Sequence, residues 1–75
     1  MWLLLPNGEL TNLRHIHAIT PKADGAWIER KLANAQGLHT IKIRETGTLK
    51  EARADVMALA GKIAGDERVI DVAGA

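Results

Sequence analysis

His15 and His17 come nearest, by type and spacing, to residues that do chemistry. Side chains at i and i+2 of a strand share a face, so the two imidazoles would project together, with His39 on another strand nearby. Such a pair can hold a transition metal, and three imidazoles with an open position would make a catalytic arrangement. No fourth ligand accompanies them, and they read more simply as ordinary solvated sheet residues. No metal and no cofactor are expected.

Other catalytic routes are poorly served. Glu9, Asp24, Glu45 and Asp66 are candidate acids or bases, but none stands at a diagnostic spacing from a nucleophile. The chain has neither Cys nor Ser, which leaves Thr as the hydroxyl nucleophile, in no activating context. Gly8 and Gly25 follow turn residues and do not build a phosphate loop. The sequence reads as non-enzymatic.

Two surfaces could bind instead. Arg30, Lys31, Lys42 and Arg44 fall on two strands of one expected hairpin, a cationic strip that could contact phosphates with Trp27 available for stacking. Glu29 and Glu45 interrupt it, so the strip also reads as a mixed solvated face or an edge guarded by charge. The second surface is a helix face made of Ala54, Ala58, Gly61 and Gly65. A solvated face normally carries charged pairs at i, i+4, whereas small residues let another helix approach. Ala is also the best helix former, but a mid-helix Gly costs about 1 kcal/mol relative to Ala, so Gly61 argues for the interface.

The elements that must position these residues are written in turn and cap signals. Trp2 to Leu5 is an apolar strand, Pro6-Asn7-Gly8 a tight turn, and Glu9 to Thr11 the return. A second pair, Arg14 to Thr20 and Ala26 to Leu32, flanks a turn over Pro21 to Gly25. The next turn is Asn34-Ala35-Gln36-Gly37, and Leu38 to Arg44 alternates cleanly, with His39, Ile41 and Ile43 on one face. Connections this short imply an antiparallel meander, since a parallel crossover needs a dozen residues or more.

Thr48-Leu49-Lys50-Glu51 then matches a capping box. Leu49, Ala52, Val56, Leu59, Ala60 and Ile63 form the expected core stripe, with Met57 at its edge. Gly65 stands where a left-handed C-terminal cap is expected. Arg68 to Val72 offers a short final strand. The whole is a single α+β domain over residues 1–75: an antiparallel meander of four to five strands packed by one C-terminal amphipathic helix.

Seventy-five residues bury only a thin core. With no Cys, Phe or Tyr, that core must come from Leu, Ile, Val and Ala, helped by Trp2 and Trp27. Self-association is the remedy such a chain has left. Ten basic and nine acidic residues give a net charge of +1, too balanced for a protein whose main task is neutralising phosphates. The apolar start is too short for a signal peptide and lacks a basic leader, and no apolar run approaches a membrane span. A cytoplasmic protein away from the membrane is expected.

The Leu5-Pro6-Asn7-Gly8 turn, then Asn12-Leu13 followed by Ile16 and Ile19, and a later strand leading into a Glu-containing helix resemble the layout of FlbD-type small bacterial flagellar-associated proteins. That resemblance implies a strands-then-helix order and a non-enzymatic role, and it assigns no functional residue. The functional expectation is a self-associating binding or assembly module. The alternative is a small nucleic-acid-binding regulator using the basic hairpin face.

Overall fold

Turn chemistry decides where the chain reverses. A computed structural model describes residues 1–31, 37–65 and 67–72. The expected turn at Asn34–Gln36, the strand end at Leu32, the candidate acid Asp66 and the tail beyond Val72 lie outside the described residues. Strands β1 (Trp2–Leu4) and β2 (Leu10–Asn12) are joined through a loop in which the Gly8 amide donates to the Leu5 carbonyl at 2.9 Å. Pro6 leads this loop, and Gly8 takes the left-handed conformation that closes it, φ +88°. The Asn7 side-chain oxygen accepts from the Glu9 amide at 2.9 Å, which fixes the return.

After β2 the meander breaks. Asn12 accepts from the Arg14 amide at 3.0 Å and caps one 3-10 turn, Leu13–His15. This turn carries the chain into a second sheet: β3 (Ile16–Lys22), β4 (Gly25–Lys31) and β5 (Leu38–Glu45), antiparallel in that order. Strand β3 continues through Pro21, past the expected stop, because it is an edge strand on which a missing N–H is tolerated. Lys22 pairs with Gly25 across the turn. Gly25 is needed for closeness as much as for turning: it has φ +154°, and a Cβ on it would stand 2.0 Å from the Arg44 carbonyl oxygen.

Helix α1 (Leu49–Ala64) follows, and β6 (Val69–Asp71) returns to lie parallel to β1, giving a small sheet in the order β2-β1-β6. A parallel neighbour requires a crossover, and here the connection runs through β2, the large sheet and α1. The α+β class, the antiparallel consecutive strands, the closing helix and the final strand are all present. The strands are shared between two three-stranded sheets instead of running as one.

The core lies where the two sheets and the helix meet. Leu3, Leu5 and Ile70 from the small sheet's side are buried against Ala26, Ile28 and Ile43 of the large sheet and Leu59 of α1. Neither Trp joins it, contrary to expectation. Trp2 is 44% exposed, and Trp27 is half-buried on the outer face of the large sheet. Strand parity decides this, since Leu3 and Ile28 take the inward positions and their Trp neighbours must point out.

The helix begins as its cap dictates: the Thr48 hydroxyl accepts from the Glu51 amide at 3.2 Å. Its orientation differs from the apolar pattern. Ala52 and Leu59 are buried, with Val56 and Ile63 beside them, but Leu49, Ala60 and Met57 are exposed and Asp55 and Lys62 are turned partly inward. At the other end Gly65 has φ −75°, not left-handed, and its amide donates to the carbonyls of Gly61 and Lys62. Among the described residues, no helix is long and apolar enough to cross a membrane.

Candidate association surface

The small sheet has two faces with different chemistry. Period-two alternation sends Leu3, Thr11 and Ile70 inward and leaves Trp2, Leu4, Leu10 and Val69 on the other face. Trp2 stands opposite Val69 on one side, while on the other strand Leu10 is the partner of Leu4, diagonal to Trp2. Such neighbours are within reach of large side chains across adjacent strands. The result is a shallow depression lined by Trp2, Leu10 and Val69, with 44%, 51% and 51% of these residues exposed. Isolated exposed apolar residues need no explanation; here three stand as neighbours, on a face they share with Asn12 and Asp71.

Ala54, Ala58, Gly61 and Gly65 are all exposed; Ala54 and Gly61 lie on the side of α1 away from the buried stripe, Ala58 at the helix edge beside Leu59, and Gly65 at the cap beyond the helix. A Cβ added at Gly61 would meet nothing within 4 Å. The helix surface around Gly61 is therefore open.

The cationic strip is divided. A β-bulge in the β4–β5 ladder, between Ala26 and Trp27, leaves Lys42 opposite Trp27 and Arg44 opposite Ala26. Arg44 thereby reaches the helix, its Nε 3.6 Å from Asp55 Oδ2. Arg30 lies on the inward face with Ile28, its guanidinium paired with both carboxylate oxygens of Glu9 and its Nε donating to His39 Nδ1 at 3.2 Å. That guanidinium, hydrogen-bonded to Glu9, holds the carboxyl below its usual range. Lys31 and Lys42 remain on the outer face.

Lys22 joins them there, although it stands within the turn signals of Pro21 to Gly25. Its Nζ stands 4.8 Å from the Trp27 ring centre, and that of Lys42 stands 5.4 Å away. Asp24 accepts from the Trp27 indole at 3.0 Å and pairs with Lys42 at 3.2 Å. These two bonds, the indole first, hold the Asp24 carboxyl below its usual range. The strand's continuation past Pro21 is the signal that would have placed Lys22 on this face.

The histidines do not converge. His15 ends the 3-10 turn, His17 is the extra residue at a bulge in β3, and His39 is held by Arg30. Among the described residues no group of three potential ligands could hold a metal ion. Trp2, Leu10 and Val69 escaped the sequence reading as a group because three-residue strands are too short to show alternation.

The chain matches no family model, no curated protein and no solved structure.

Proposed function

We propose that this chain is a non-enzymatic assembly module that associates with copies of itself through the outer face of the small sheet. One observation carries the reading: three large apolar side chains on three neighbouring strands, Trp2, Leu10 and Val69, stand together in solvent. They do so in a chain that has few large side chains to spare. The open helix face of Ala54, Ala58, Gly61 and Gly65 supports the same reading as a second place of close approach. A cytoplasmic setting and the non-enzymatic role implied by the FlbD-type layout belong to this proposal.

Sedimentation equilibrium tests it. The chain is expected to form dimers or larger species at tens of micromolar, and Trp2→Lys is expected to leave a folded monomer. A wild-type chain that stays monomeric at high micromolar concentration removes the proposal.

The alternative, a small nucleic-acid-binding regulator, draws on the outer face of the large sheet, where Lys22 and Lys42 flank Trp27. Of the four cations first singled out, Lys31 and Lys42 share that face, Lys42 with Asp24 as its ion-pair partner, whereas Arg30 and Arg44 turn to Glu9 and Asp55. A labelled single-stranded oligonucleotide titrated in low salt decides this reading. Salt-sensitive binding supports it, and an unchanged anisotropy removes it.

A further inference from the structure

The roll of α1 has a counterpart beneath it. By leaving Met57 73% exposed and turning Asp55 and Lys62 inward, the helix gives up apolar burial for charge at its contact with the large sheet. A local choice that breaks the apolar pattern is where function is to be sought. Below those two residues lies an open-mouthed cleft of about 220 Å³ between β4, β5, α1 and the end of β6. Its floor and walls are apolar: Ala26, Ile43, Leu59 and Val72 are each less than a tenth exposed, and Ala58 contributes a small side chain at the helix edge. Charged groups of both signs ring the mouth: Arg44, Asp55, Lys62 and Asp71.

Size and charge together define an occupant. An apolar cavity of about 150 Å³ accepts benzene, so this cleft has room for a compact branched or aromatic group. The rim sets cation beside anion, with Arg44 Nε and Asp55 Oδ2 3.6 Å apart. An ammonium and a carboxylate on one α-carbon are spaced to exchange into such a pair, the carboxylate towards Arg44 and the ammonium towards Asp55. The β5 bulge that re-aims Arg44, and the close passage of Gly25 under the Arg44 carbonyl, hold that side of the rim in place. We propose that this cleft binds a free amino acid with an aliphatic or aromatic side chain, of which leucine is the probe.

Methyl-resolved NMR of Ile43, Leu59 and Val72 tests the site, with L-leucine, 4-methylpentanoate (the carboxylate without the ammonium) and isopentylamine (the ammonium without the carboxylate) each added up to about 20 mM. Leucine is expected to shift these methyls saturably, with both analogues about fivefold weaker or worse, the worth of a partly exposed charged hydrogen bond. Ala58→Leu, a substitution at an exposed helix position, should fill the cleft and abolish the leucine shifts while helix content is kept. Asp55→Asn should weaken leucine and isopentylamine and leave 4-methylpentanoate bound as tightly or more tightly, since Arg44 loses its competing carboxylate. No saturable shift with leucine, equal binding of all three compounds, or leucine shifts that persist in Ala58→Leu would each overturn the assignment. This cleft is separate from the Trp2 face but shares Ala58 with the helix face. The leucine titrations are therefore run at a concentration where wild type and Ala58→Leu sediment alike. A monomeric chain that binds leucine, or an oligomeric one that does not, tells the two proposals apart.

Discussion

The Arg30 guanidinium grips both carboxylate oxygens of Glu9, and so ties the return of the first hairpin to the central strand of the other sheet. Removing either partner should loosen the two sheets relative to each other. Arg30→Met and Glu9→Gln are each expected to lower the melting temperature by several degrees, and the double variant by less than the sum. The pH dependence has a definite sign. Glu9 has a depressed carboxyl pKa in the folded state, so its contribution is present above the ordinary carboxylate range and is lost as the pH falls through the folded value. The stability gap between wild type and Glu9→Gln should therefore close on acidification, which denaturant titrations from neutral to acid pH will show.

Gly25 and Gly8 separate two reasons for glycine. At Gly8 the φ of +88° is strained for any L-residue, but the space is empty. Gly8→Ala should cost about 1 kcal/mol. At Gly25 the Arg44 carbonyl occupies the place of the new methyl, and Gly25→Ala should cost about 3 kcal/mol or prevent folding. Chemical denaturation of the two variants checks the difference.

The rotation of α1 departs from its apolar pattern at Met57 and keeps it at Leu59. Met57→Lys, on an exposed side chain, should change stability by less than about 0.5 kcal/mol. Leu59→Ala, at a buried one, should cost about 2–4 kcal/mol. A large effect at Met57 in a chain shown to be monomeric would contradict this rotation.

Thr48 accepts from the Glu51 amide and donates its hydroxyl proton to the Glu51 carboxylate. Thr48→Ala should cost about 1 kcal/mol and fray the first turn. Amide exchange at Lys50, Glu51 and Ala52 would rise before that of the rest of the helix.

What the sequence made legible was local. Thr48 and Glu51 announce the helix start, Pro6 to Gly8 the first loop, and Ile41 and Ile43 the inward face of β5, because each signal acts within a few residues of itself. Pairing over distance left no such mark. Nothing in Val69–Asp71 says that its neighbour is β1, and nothing in Leu13–His15 says that one 3-10 turn hands the chain to another sheet. The bulge opposite Trp27 sent Arg44 to the helix and broke the alternation that had grouped it with Lys42. The same gap explains the candidate surfaces. The small-residue helix face was readable by period, whereas the Trp2, Leu10 and Val69 group exists only after three distant strands have met.

The β1–β6 pairing also orders events in time. The Trp2 amide donates to the Arg68 carbonyl and the Val72 amide to that of Leu4, so β1 acquires its second neighbour only after the four strands and the helix between them have been made. Until then one edge of β1 stands open beside an uncovered indole, a template for strand exchange between nascent chains. For a chain proposed to assemble with its own kind, the interval before β6 docks is when a swapped rather than a docked dimer can form, and slow synthesis through α1 would lengthen it.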